Sequence, residues 1–369
     1  MIFSQRDVDV LRLLCWCQFI SPKDLRDVVT EAERKNLIGA GLIRVHEKSR
    51  ALLLTSKGEQ LLAKLLDGAI PQMTRAYHAP LIERRIRVSR LAVAAYHGGV
   101  NLFTLAPEEL ESPCSMFFPT ITRSKGSNPW GSTRIAAIAH LGDSFYAMHY
   151  VCPGIGKLAL MDELSAFSNQ TARFRNVGRA FLFAGDSYRS VLTELERPLD
   201  KEDAKLVGYG DVYRCLQLPI HLLSCDSTGA VQLQIMATPD YRSQLTKAAL
   251  KSQYHPPPPD IPEWDAIFQD APFVLAADMD LRRVDTAIRA AKTEGYGQIA
   301  IAALAGQAEQ VLFPRYRDTG LARVFVLTSD AIEAATGRKP VPYSAPRTQF
   351  MTSKGDVVDA PPIQTHRKT

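Results

Sequence analysis

No apolar run in this chain approaches the roughly 18–20 residues needed to cross a bilayer, and the 46% hydrophobic and 22% charged residues of its 369 are those of a globular protein. A collagen, a coiled-coil rod and a wholly disordered chain are excluded, and the length suits roughly two to three domains. The opening MIFSQRDVDVLRLL places charge where a secretory signal needs an apolar stretch. The cytoplasm is therefore the expected location, with no membrane partner. Cysteine is scarce: six thiols, at 15, 17, 114, 152, 215 and 225, are too thinly spread for a disulfide framework and are expected to be reduced and mostly buried.

Motifs for chemistry are equally sparse. Cys15-x-Cys17 lacks the two-residue gap by which paired thiolates share a zinc ion, and none of the eight histidines stands at ligand spacing with a second pair. Gly154-x-Gly156 lacks the third glycine of a dinucleotide fingerprint and reads as a strand-ending turn. Neither a G-x-x-x-x-G-K-[ST] phosphate loop nor a G-x-S-x-G elbow occurs. No metal and no cofactor are expected.

What is present is uneven charge. Residues 1–90 carry 16 Lys and Arg against 10 Asp and Glu, and residues 337–369 carry 6 against 2, whereas the stretch between them holds 22 against 27. Basic ends on an acidic centre suit a head that binds a polyanion, or simply a solvated basic face.

The first seventy residues have a definite order. Ser4 with Asp7 three residues on is a helix start, and Val8, Leu11, Leu14 and Cys15 recur at helical spacing over 5–17. Ser21-Pro22 opens a second helix to about Val29, and Thr30 caps a third whose apolar positions are Leu37, Ile38 and Leu42, with Gly41 as its stop. The period then turns to alternation, LIRVH and ALLLT around the polar turn EKSR, and SKGEQLLAKLL opens a fourth helix.

Helix, helix, helix, hairpin, helix is the order of a winged helix-turn-helix. NLIGAGLIRVHEKSRALLLTSKGEQLL resembles that family's pattern, in which the recognition helix ends in "L..LGLI" and the second wing strand runs into "LT.KG..LL". The resemblance covers residues 4–66 and implies a double-stranded DNA partner. Base contacts are expected from Glu33, Arg34, Lys35 and Asn36, and phosphate contacts from Lys23, Arg44, Lys48, Arg50 and Lys57. Glu31 and Glu33 repel phosphate and leave open a protein-interaction module instead.

Residues 77–97 form a strong helix pattern, basic at Arg84, Arg85, Arg87 and Arg90, which suggests phosphate contact, a homodimer seam or a solvated face. Strands are expected at 134–140 and 145–151, a helix at 162–176, a strand at 179–184 and a helix at 187–196. A later unit has strand 273–277, helix 281–294 and strands 299–304 and 323–327. Pro256 to Pro259 marks a stiff break between the two. The expected division is 1–70, a winged helix-turn-helix; 71–100, a linker helix; 101–255 and 256–337, two α/β parts; and 338–369, a basic disordered tail.

Winged helix, histidine-led helix at Tyr77-His78 and a following α/β region together resemble the replication-relaxation family of plasmids and integrative conjugative elements. The likeness is specific over the first ~100 residues. It implies an α+β fold, with a larger α/β region like a degenerate restriction endonuclease, and a role beside a relaxase or replication proteins. The chemistry of such a nuclease is not evident. The strands RIAAIAH and FYAMHYV hold no carboxylate, Asp143 falls in their turn, Asp162-Glu163 begins a helix, and Asp203-Ala204-Lys205 lies in a charged stretch. Asp278-Met279-Asp280 suits a helix cap better than a cation site, and His140 and His149, on facing strands, suit packing. The expected function is non-catalytic DNA binding on a mobile element. The alternatives are a ligand-responsive transcriptional regulator and a metal-dependent nuclease with an atypical site.

Overall fold

The structure, a computed structural model, describes residues 4–71, 75–119, 135–151, 177–197 and 216–340, with isolated positions at 163, 165–169, 171–172, 210, 213 and 214 and strand pieces at 350–351 and 357–358. It is a mixed α and β fold. Of the expected helix 162–176, the described positions 163, 165–169 and 171 are helical; the tail 338–369 lies mostly outside the described residues, and Gly154-x-Gly156 and Asp203-Ala204-Lys205 lie wholly outside them.

Helix α1 (Gln5–Cys17) starts where Ser4 and Asp7 cap each other: the Asp7 N–H donates to Ser4 Oγ at 3.1 Å and the Ser4 N–H to Asp7 Oδ2 at 2.9 Å. Its sequence shows a single apolar stripe, yet Leu13, Trp16 and Cys17 are buried along with Leu11 and Leu14. The reason is a second neighbour, α4 (Ala79–His97), which packs against it.

The expected second helix does not form as such; residues 22–28 make consecutive turns, with both Val28 and Val29 N–H groups donating to Leu25 O. One turn holding the β-branched pair Val28-Val29, with Leu25 and both valines buried, has too few hydrogen bonds to propagate as a helix. Helix α2 (Glu31–Gly39) then begins at Thr30 through a second capping box and ends before Gly41, whose φ of 69° suits glycine.

Strands β1 (Ile43–Val45) and β2 (Leu52–Leu54) pair antiparallel, with Ile43 opposite Leu54, and α3 (Ser56–Leu65) follows behind the Thr55 cap. A Cβ on Gly58 would lie 2.2 Å from the carbonyl oxygen of Leu42, so the crossing of α3 over the start of β1 depends on glycine there.

Helix α4 is a core element rather than a spacer. It buries nine residues, with Ala92, Ala94 and Ala95 small enough for close packing between α1 and α6 (Ser227–Met236). Trp16 Nε1 donates to Thr104 O at 2.9 Å and Tyr96 OH to Asp9 Oδ2 at 2.8 Å, which tie α1 to the chain on either side of the end of α4. One apolar cluster consequently runs from Val10 through Val93 to Leu182 and Leu233.

The first large sheet has five strands in sequence order: β3 (Ser115–Phe117), β4 (Ala137–Leu141), β5 (Ser144–Tyr150), β6 (Gly178–Gly185) and β7 (Ile220–Ser224). The first three pair antiparallel; β5, β6 and β7 run parallel, with α5 (Tyr188–Leu195) between the last two. Every residue of β4 and of β7 is buried, as expected of strands covered on both faces.

After α6 and α7 (Tyr241–Leu250), a second sheet has the order β11–β10–β9–β8. In it β8 (Ala266–Phe268) is antiparallel to β9 (Ala271–Leu275), while β9, β10 (Ile299–Ala303) and β11 (Ala322–Val326) are parallel. Helix α8 (Leu281–Thr293), a π-helix (Ala308–Arg317) and α9 (Ser329–Thr336) supply the connections and the last layer. The late segments thus make a separate sheet, but Pro256 to Pro259 do not divide the core. One cluster joins Phe145, Phe181 and Leu222 of the first sheet to Val274, Ile301 and Val311 of the second part. Among the described residues, no helix is long and apolar enough to cross a membrane.

Candidate nucleic-acid interface

Of the nine residues of α2, only Leu37 is buried, so the helix is anchored along one line and leaves the rest of its surface to solvent. Lys35 and Asn36 are exposed, Arg34 is half-buried, and Ile38 is an exposed apolar side chain between them and the hairpin. The two acidic residues are already engaged. Glu33 Oε2 accepts the Thr30 N–H at 2.7 Å, which holds its carboxyl below the usual range, and its other oxygen stands 3.9 Å from Arg6. Glu31 pairs with Lys35 at 3.1 Å, and that partner, with Arg34 and Arg26, keeps it ionised to lower pH than usual.

These contacts revise the expected base-contact set. Glu33 completes the helix cap, and Lys35 is shared with Glu31, which leaves Arg34 and Asn36 as the polar side chains of α2 outside the cap and that ion pair. Arg26, absent from the expected set, is exposed and close enough to α2 to act on Glu31. A lone arginine in a stretch read as helix gave no sign of that position.

At the hairpin, Lys48 and Arg50 are exposed, as is Arg44 on β1. The turn is organised by His46, whose Nδ1 lies 3.0 Å from Ser49 Oγ and whose carbonyl accepts the Arg50 N–H at 2.9 Å. Arg50 itself has a φ of 58°, the left-handed conformation. Lys23 is exposed in the turns before α2. Lys57 differs from expectation: its Nζ donates to Ala40 O at 2.9 Å and closes the carbonyl end of α2.

The basic stretch of α4 does not form one basic surface. Arg85 is 1% exposed and inside the packing, out of reach of phosphate or a second subunit. Arg87 pairs with Glu83 at 3.5 Å, and Arg84 is half-buried. Arg90 bridges inward, 3.5 Å from Asp24 in the turns before α2 and hydrogen-bonded to Asp186 after β6, with Tyr150 of β5 completing the group. Burial pushes the Asp24 carboxyl up to about 6 despite the opposing pull of Arg90.

The remaining candidate positions are structural. Asp280 caps α8 by accepting the Arg283 N–H at 3.1 Å. Asp278, fully buried, takes Arg242 Nε at 2.9 Å and Tyr241 OH at 2.6 Å; burial opposes its charge, but Arg242, His221 and Arg283 outweigh it and hold the carboxyl well below the usual range. His140 and His149 do not meet: His140 faces Phe145 in the hairpin, stacks on it at 4.4 Å and bonds Leu110 O through Nδ1 at 2.8 Å. His149 stacks on Phe181 and stands 3.4 Å from the buried Glu163, and burial drives its imidazole down to about 3, neutral at physiological pH. Among the described residues, no group of three or more His, Cys, Asp or Glu side chains could hold a metal ion. Cys15 and Cys17 are buried thiols, each pushed up to about 12 by burial, which makes them poor nucleophiles.

A cavity of about 600 Å³ lies behind the hairpin, between α1, Ile70, Pro71 and residues 75–77, lined by the apolar Phe19, Leu53 and Ile82 and by the polar Arg44, His46, Arg75 and Glu59, the last two 3.7 Å apart. Comparison with known protein families, with curated proteins and with solved structures finds no match to the chain.

Proposed function

We propose that the chain is a non-catalytic, DNA-binding accessory protein of a mobile element. On this reading the N-terminal unit is a winged helix: α2 enters the major groove, the β1–β2 hairpin follows the adjacent backbone, and the α/β part supports contacts with a relaxase or with replication proteins at an origin or transfer region. The observation that carries it is that α2 buries a single residue and is followed at once by a hairpin whose tip holds the exposed Lys48 and Arg50. Two further observations support it. The carboxylates of α2 are engaged, Glu33 by the cap and Glu31 by Lys35, which lessens the cost of Glu31 against phosphate. The sequence β3–β4–β5, helical crossover, β6, α5, β7 is an order compatible with a nuclease-like core, while β4 and β5 present His and Ala where a metal-dependent nuclease needs carboxylates.

The test is fluorescence anisotropy of a labelled duplex from the element's own origin region against a scrambled duplex at several salt concentrations. Tighter binding to the origin, lost steeply as salt rises, is the expected result. A flat salt response with no preference means that α2 meets protein rather than DNA. A divalent-metal cleavage assay on the same duplex should leave it intact.

A second reading, a ligand-responsive regulator, is favoured by the cavity behind the hairpin, since its mixed lining of apolar side chains with Arg44, His46, Arg75 and Glu59 suits a small ligand with an apolar body and a polar end. It requires that such a ligand change the DNA affinity.

A further inference from the structure

The β1–β2 hairpin has two unlike faces. Ile43 and Leu54, paired across it, are buried in the core, so the alternation of strands puts the next pair, Arg44 and Leu53, on the opposite face. His46, two residues on, belongs to that face as well, beside Ala51, whose carbonyl accepts the His46 N–H at 2.8 Å. This face is only partly covered. Ala76 and Ile82, before and within the first turn of α4, pack with Phe19, Ala51 and Leu53, and beside them stands the cavity of about 600 Å³, a size that takes a small molecule.

The charges of the cavity lining do not cancel. Glu59 and Arg75 stand 3.7 Å apart and offset each other. Arg44 is left over: among the described residues its guanidinium has no ion pair and no hydrogen bond. His46 adds a neutral donor. The Ser49 N–H donates to His46 Nδ1 at 3.2 Å, so the neutral ring carries its proton on Nε2, and the ring stands edge-on to Phe19 with centroids 5.5 Å apart.

We propose that this cavity binds a small amphipathic monocarboxylate, whose carboxylate meets Arg44 and His46 and whose apolar body lies against Phe19, Leu53 and Ile82. One negative charge balances Arg44, and a guanidinium takes a carboxylate through two parallel hydrogen bonds. A cationic head would instead add to an unpaired charge. The proposal names the ligand of the ligand-responsive reading and rests on that reading for its consequence. The consequence runs through His46, because the ring that lines the cavity also builds the turn that carries Lys48 and Arg50. An occupied cavity withdraws Arg44 from phosphate and fixes the tip, so that DNA affinity should fall severalfold.

The test is isothermal titration calorimetry of the full chain without DNA, with octanoate as the probe and octanamide and octylamine as controls with the same apolar body. Octanoate should bind one to one with a Kd of about 0.1 mM. Octanamide should bind at least about tenfold more weakly, and octylamine not measurably. Arg44 is exposed, so its replacement leaves the core intact. Arg44→Gln should abolish the preference for octanoate over octanamide, and Arg44→Lys, which keeps the charge without the fork, should restore part of it. Lys64→Gln, which removes an exposed charge of α3 outside the cavity, should leave octanoate binding unchanged. Bound octanoate should slow hydrogen exchange in residues 43–46 and 52–54. No binding up to about 10 mM overturns the proposal, as does binding indifferent to the head group, binding that Arg44→Gln leaves unaltered, or protection confined to other segments. Anisotropy of the labelled duplex with octanoate present is read separately: an unchanged DNA affinity overturns the ligand-responsive reading and leaves the carboxylate site standing.

Discussion

Lys57, in the first turn of α3, donates from Nζ to the carbonyl of Ala40 at the end of α2, so that the helix after the hairpin closes the helix before it. The two helices and the β1–β2 pair between them are thereby held as one unit. Replacing Lys57 with Met should lower stability by about 0.3–1 kcal/mol, the worth of a cation at an exposed helix end, read by urea denaturation. Because that amine is occupied, Lys57→Met should change the salt dependence of DNA binding less than Lys48→Ala does. A larger salt effect at Lys57 would restore its role as a phosphate contact.

Arg34→Ala should weaken binding to the cognate duplex by about 1–3 kcal/mol while changing binding to random DNA little, if its guanidinium reaches a base edge. Lys48→Ala should weaken both alike. Equal losses on the two duplexes for Arg34→Ala would remove it from base readout.

Arg50 combines an exposed cation with a left-handed backbone. Arg50→Asn should keep the hairpin, since asparagine tolerates that conformation, whereas Arg50→Val should cost a further 1–2 kcal/mol or roughly that. Both lose the same charge, so the difference between their melting temperatures isolates the turn, and their shared loss of DNA affinity isolates the cation.

Asp24 has a pH signature. Burial raises its folded pKa to about 6 from 3.8, so the folded state binds the proton more tightly than the unfolded state. The stability it contributes is therefore complete below pH 3.8 and is lost as pH rises through about 6, up to about 3 kcal/mol in all. His97, lowered to about 4 by burial and then by Arg338, acts oppositely, its contribution fading as pH falls from 6.5. Comparing the unaltered chain with Asp24→Asn between pH 4 and 7 separates the two. The difference in stability should change across this range, and a constant offset would show that Asp24 keeps an ordinary pKa.

Asp278 joins α7 to the end of β9 from a fully buried position. Asp278→Asn should destabilise the fold by about 3 kcal/mol by leaving Arg242 without its counter-charge, less if that half-exposed guanidinium turns to water. Arg242→Met combined with Asp278→Asn should recover part of the loss. No recovery in a denaturant titration would mean that the pair is not coupled.

Much of the local order could be read directly from residue types. Ser4 with Asp7 and Thr30 with Glu33 define helix starts because a cap needs only four consecutive residues. The alternation on either side of the EKSR turn defines β1 and β2, and apolar runs define β4, β5, β6, β9, β10 and β11 within a few residues. Strand β7, by contrast, does not show in residue types: His221 interrupts its apolar run, and only the stacked sheet and Asp278 O, 3.0 Å from its Nδ1, make that histidine a core residue.

The candidate interface was legible at Lys48, Arg50 and Asn36, where exposure follows from a turn or an amphipathic helix. What residue types alone could not settle is which cations are free. Arg85 and Arg90 share one basic run on α4, yet one enters the core and the other spans Asp24 and Asp186, residues brought together from 66 positions before it and 96 after. Sequence by itself determined the helix caps, the hairpin and the strand runs, because each depends on neighbours within a few residues. Only the tertiary structure decided the partners of Arg90, Lys57 and Asp278, because ion pairing depends on groups that the fold, and not the chain, places side by side.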